Sequence, residues 1–153
     1  MNAGLNRSQK IYKDWSVQMR ANGQWTDKAL VSNEQFALGG VNSVRGYNEG
    51  EVYGDYGWCA SIEPHFPAVN LGDFNDDGES ATVWFRGWTF LDYGEAYMNG
   101  SSSRVPLWGT GFGGMVTIGK FFDAKMTVAW PLMDSANTRS GNMHLHFSVG
   151  VQF

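Results

Sequence analysis

Cysteine occurs once, at Cys59, so no disulfide can form within the 153 residues and the redox compartment stays open. Proline occurs only four times. Charge is sparse at 17%, and 11 Lys and Arg face 15 Asp and Glu. The resulting net charge of −4 argues against a basic nucleic-acid surface. No apolar run approaches the roughly 18–20 residues of a membrane-spanning helix. No stretch repeats apolar residues at helical spacing. Residues Met1–Lys10 carry no apolar core of an export signal.

Aromatic residues and glycine are plentiful instead. Aromatics reach 15%, with seven Trp, and there are 20 Gly. That composition suits a β-rich chain with glycine turns, and it suits the aromatic girdles of a membrane β-barrel. A mean hydropathy of −0.32 is compatible with such a barrel, whose strands are apolar on one face only.

Apolar and polar residues alternate in six stretches: Tyr12–Trp25, Asp55–Phe66, Ala81–Met98, Leu107–Gly119, Phe122–Leu132 and Met143–Phe153. The last is clearest, with Met143, Leu145, Phe147, Val149, Val151 and Phe153 on one face. Residues 1–8 are polar and show no period, and 68–80 read as a polar turn. The expected fold is all-β, an antiparallel meander of six strands. Six strands fall short of the roughly eight that close a membrane barrel.

Residues 34–54 do not fit the alternation. Gly39-Gly40 breaks the run, and Gly46 allows a sharp turn directly after Arg45. A single Arg among small and apolar residues fits two readings: a solvated loop cation, or a guanidinium held by a carboxylate in a confined site.

The stretch Glu34-Gln-Phe-Ala-Leu-Gly-Gly, followed by Val44-Arg45-Gly46-Tyr47, resembles the inward-folded loop of two-partner-secretion transporters, the hemolysin-activator (TpsB) proteins of the outer-membrane polypeptide-transport superfamily. A second hallmark, Phe-x-Asp-x-Gly, stands at Phe90, Asp92 and Gly94. The resemblance runs over about residues 9–153. It implies a sixteen-stranded transmembrane barrel of which this chain supplies about the last six strands, with loop 34–54 folded into the lumen. The upstream strands and periplasmic domains would then lie outside residues 1–153, in a longer precursor carrying the export signal.

The resemblance further implies an ion pair between Arg45 and Asp92 that anchors the loop. Phe90, Asp92 and Gly94 share a face because strand side chains repeat every two residues. Phe153 resembles the C-terminal signal read by the outer-membrane assembly machinery, alongside its plainer role in a last strand. The implied function is secretion of an unfolded partner exoprotein, a hemolysin or filamentous adhesin, across the bacterial outer membrane. The implied partners are that exoprotein, the assembly machinery and the lipid bilayer, with no nucleic acid and no cofactor. A barrel-assembly protein of the same superfamily shares both motifs. A small soluble β-barrel or sandwich that binds a ligand is the reading from another class.

Other candidates are weaker. Asp73-x-Asn75-x-Asp77-Gly78 opens like a calcium loop, but its twelfth position is Trp84 rather than Glu. Gly109-x-Gly111-x-x-Gly114 matches a dinucleotide fingerprint without the helix that would follow. Its glycines are better explained by a crowded lumen. His144 and His146 are two metal-ligand types on one face, with His65 or Glu63 as a possible third. Cys59 has no base placed beside it for nucleophilic chemistry. No enzymatic site is expected.

Overall fold

In the computed structural model, residues 1–76, 79–101 and 104–152 are described. They form ten strands and no helix: β1 (Asn2–Tyr12), β2 (Trp15–Gln24), β3 (Phe36–Leu38), β4 (Val52–Gly54), β5 (Tyr56–His65), β6 (Val69–Asp76), β7 (Glu79–Tyr97), β8 (Arg104–Ile118), β9 (Phe122–Pro131) and β10 (His144–Val151). Eight of them make one antiparallel sheet in the order β1-β2-β5-β7-β8-β9-β10, with β6 also paired to β7. The fold is the expected all-β antiparallel meander.

Two strands of the large sheet lie where none was expected. Residues 2–12 pair with β2 in register, Asn6 opposite Arg20 and Ser8 opposite Gln18. Every residue of β1 is exposed, so pairing there rests on backbone hydrogen bonds and leaves no apolar alternation. The stretch read as a polar turn at 68–80 contains β6. It continues the path of β5 past Pro67 and pairs with β7 from Val69 opposite Phe85 to Asp76 opposite Glu79.

The register decides which side chains share a face. Trp58, Ile62, Leu91, Phe112, Met126, Leu145 and Phe147 all fall on one side and are exposed. A continuous apolar exposed face marks contact with lipid or protein. The opposite, inner face carries Ser61, Asp92, Gly109 and Thr127, and the long connection between β2 and β5 lies across it. That connection is not structureless, because β3 and β4 pair within it as a short ribbon. Strand alternation puts the β2–β5, β7–β8 and β9–β10 connections at the same end of the sheet.

Candidate functional site

Pairing lines up one row across the inner face. Arg20 stands opposite Ser61, Ser61 opposite Asp92, Asp92 opposite Gly109, and Gly109 opposite Pro131. The Val44–Tyr47 segment lies over this row. Arg45 Nε and Nη2 donate to Asp92 Oδ2 and Oδ1 at 2.7 and 2.8 Å, a bidentate pair. The Arg45 backbone N–H also donates to Asp92 Oδ2, at 3.0 Å. Nη1 reaches Glu63 Oε2 at 2.6 Å, and Nη2 also donates to Ser61 Oγ at 3.0 Å. The guanidinium carbon sits 3.4 Å from the centre of the Phe90 ring.

Arg45 and Asp92 are buried, Asp92 completely. A buried charge is tolerated only when paired and hydrogen-bonded. Here two carboxylates meet one guanidinium, and His65 Nε2 lies 2.9 Å from Glu63 Oε1. Burial by itself lowers the pKa of Arg45. The hydrogen bonds and charge of Asp92, then of Glu63, outweigh it and hold the guanidinium above its ordinary value.

Glycine makes this close docking possible. Gly46 has φ +95, and a Cβ there would meet the Trp130 carbonyl carbon at 2.6 Å. A Cβ at Gly109 would collide with the Arg45 carbonyl oxygen, and one at Gly94 with Leu38. Above the ion pair, Leu38, Val44 and Tyr47 from the loop pack with Cys59, Ala96 and Leu107 from the wall. Fully burying side chains of this size stabilises by about 1.5–3 kcal/mol each. The loop is therefore held by an apolar contact as well as by charge.

Three further groups tie the loop to its surroundings. The Tyr47 hydroxyl lies 3.0 Å from both the Trp108 and Met133 carbonyl oxygens. Burial raises its pKa, against the opposing effect of those two backbone contacts. Glu51 accepts from Ser135 Oγ, the Asn137 N–H, Thr138 Oγ1 and Asn48 Nδ2. Burial works to raise the Glu51 pKa, but these four bonds hold it below the ordinary carboxylate value. Asp55 accepts from the Leu30 and Asn99 N–H groups at 2.8 Å.

The structure thus brings Val44, Arg45, Gly46 and Tyr47 together with Phe90, Asp92 and Gly94. Phe153 lies outside the described residues, as do Asp77 and Gly78 of the calcium-like turn. The Gly109–Gly114 run continues as β8, with no helix after it. His65 and Glu63, the candidate third metal ligands, contact each other, and Glu63 also holds Arg45. Among the described residues no cluster of three His, Cys, Asp or Glu is placed to hold a metal. On the same inner face Trp88 is covered by His65 at 5.6 Å and Lys125 at 5.1 Å, and Trp84 stays half exposed.

Sequence reasoning did not single out Glu63 or Ser61 as partners of Arg45, nor Glu51 as an acceptor. Glu63 and Ser61 share the alternating face of β5 with His65, a signal that was legible once that strand was assigned. Glu51 had no such signal, because three of its four partners lie 84 to 87 residues away in another connection.

Comparison with known proteins bears on this geometry. A family model described as "Haemolysin secretion/activation protein ShlB/FhaC/HecB" matches residues 1–115. The outer membrane transporter CdiB of Dickeya dadantii is 29% identical over 133 residues, covering 86% of this chain and 22% of the relative. The heme/hemopexin transporter protein HuxB of Haemophilus influenzae is 28% identical over 145 residues, covering 89% and 24%. The chain therefore spans under a quarter of the length of these relatives. No solved structure matches significantly. The chain belongs to the haemolysin secretion/activation family of bacterial outer-membrane transporters, the two-partner-secretion group.

Proposed function

We propose that this chain is the C-terminal part of an outer-membrane barrel that secretes an unfolded partner exoprotein. The upstream strands of a sixteen-stranded barrel and the periplasmic domains lie, on this reading, in the part of the relatives that the chain does not span. The open edges β1 and β10 support it, since an unpaired sheet edge in lipid costs several kcal/mol per group. The apolar outer face meets the bilayer. The C-terminal sequence, with Phe153 as its last residue, is what the assembly machinery reads. No bond is made or broken. The work is that of a polar-walled pore and a loop within it.

One observation carries the reading: a loop guanidinium fixed on Asp92 and Glu63 of the inner wall. A buried pair is a means of holding one conformation rather than a source of large stability. Its role here is to keep the loop seated on the wall in one arrangement. The test is a charge swap in the native transporter, with the secreted exoprotein measured in the medium. Arg45→Asp and Asp92→Arg are each expected to lose secretion, and the double variant to regain part of it. A double variant no better than either single one would sink the proposed role of the pair.

A further inference from the structure

Glu51 lies six residues after Arg45 and bonds to the connection between β9 and β10. Its Oε1 accepts from Ser135 Oγ at 2.5 Å and the Asn137 N–H at 2.8 Å. Its Oε2 accepts from Thr138 Oγ1 at 2.9 Å and Asn48 Nδ2 at 3.1 Å. Four donors fill the acceptor capacity of a carboxylate. Glu51 is 7% exposed and Thr138 2%. Among the described residues no cation lies within ion-pair distance of Glu51. Neutral donors alone compensate this buried charge, and three of the four belong to the β9–β10 connection.

That connection is shaped to deliver them. The Ser135 N–H donates to the Thr138 carbonyl at 2.8 Å, and the Ser140 N–H to Asp134 Oδ1 at 2.7 Å, which closes the segment on itself. Tyr47 adds a second strap, its hydroxyl accepting the Met133 N–H at 3.3 Å. Should the β9–β10 connection leave, Glu51 would keep one donor, and a buried carboxylate left so poorly satisfied is strongly disfavoured.

We propose that Glu51 is a positioning residue that couples the inserted loop to the β9–β10 connection, so that the two move as a unit. The loop then has two anchors of different kind. Arg45 fastens it to β5 and β7 through charge. Glu51 fastens it, through neutral donors, to the segment that joins the last two strands. Releasing the Arg45 anchor alone leaves the loop tied at its far side. That this unit gates a pore rests on the proposed transport function, whereas the coupling itself does not.

The test uses the full-length transporter in detergent micelles and hydrogen exchange read by mass spectrometry, for Glu51→Gln, Thr138→Val and the double variant. Loss of a bond to a charged group accelerates exchange about tenfold or more where that bond governs opening. Faster exchange is expected in both segments, 39–50 and 132–143, whichever partner is changed, with the double variant close to Glu51→Gln alone. The β5 and β7 wall segments should keep wild-type exchange, and retained heat-modifiable mobility on gels should show an intact barrel. Acceleration confined to the substituted segment, or fully additive effects, would overturn the coupling. Single-channel conductance on the same variants addresses the other question. Unchanged conductance with coupled exchange would leave the coupling standing and count against the gate.

Discussion

Asp92→Asn takes the central acceptor away from Arg45 without changing side-chain size. Asp92 is fully buried and accepts three bonds, from Arg45 Nε, Nη2 and backbone N. Breaking a buried pair by removing one partner costs about 3–5 kcal/mol, because a charge is left uncompensated. Glu63 remains 2.6 Å from Nη1, so the guanidinium is not abandoned, and the cost belongs near the lower end, about 3 kcal/mol. That is a shift of roughly a hundredfold between seated and released loop. Glu63→Gln removes one charge-assisted bond and should cost about 2 kcal/mol, and Ser61→Ala about 1 kcal/mol. Protease cleavage within residues 34–54 of the full-length transporter, at matched barrel yield, reads this order directly. Equal cleavage of Asp92→Asn and wild type, or a larger effect at Glu63 than at Asp92, would refute the reasoning.

Gly109→Ala should unseat the loop while leaving β8 paired, since its Cβ meets the Arg45 carbonyl; overpacking of this kind costs about 1–3 kcal/mol and is read by the same cleavage. Tyr47→Phe removes only a hydroxyl between two backbone segments and should cost about 1 kcal/mol, with faster exchange at Met133. Acid should loosen the β9–β10 connection through Glu51. Its native pKa is depressed, so its contribution is complete above the ordinary Glu value of about 4.3 and is lost as pH falls through the lower native value. Exchange in 132–143 should therefore rise on acidification below about pH 4, and Glu51→Gln should remove that component. On the outer face, Phe112→Arg should destabilise the barrel in urea by about 2–4 kcal/mol if it sits near mid-bilayer, and Ser148→Arg on the inner face by much less. Equal costs would show that the apolar face does not meet lipid.

Much of the sheet was legible because its strands are two-faced. Alternation in β5, β7, β8, β9 and β10 follows from an apolar exposed face on one side of the sheet and a polar, loop-covered face on the other. β1 escaped because a strand held by backbone pairing with all its side chains exposed needs no pattern. β6 escaped because Pro67 and the polar residues after it look like a turn, although the chain simply goes on pairing with β7. In the loop, Arg45 and Gly46 stood out as residues with a placed chemistry, and the Val-Arg-Gly-Tyr and Phe-x-Asp-x-Gly motifs suggested where Arg45 would go.

The meander of the six two-faced strands, their faces and the family were written in the residues themselves, because side-chain period and short motifs are local properties. The second carboxylate on Arg45, the close approach at Gly109 and the grip of Glu51 on Ser135, Asn137 and Thr138 were decided only by the folded sheet. Each joins segments 18 to 87 residues apart, brought within hydrogen-bond or van der Waals reach by the register of neighbouring strands and by the path of one loop across them. No local pattern encodes that path, because it follows from summed pairing over several strands rather than from any one stretch of chain.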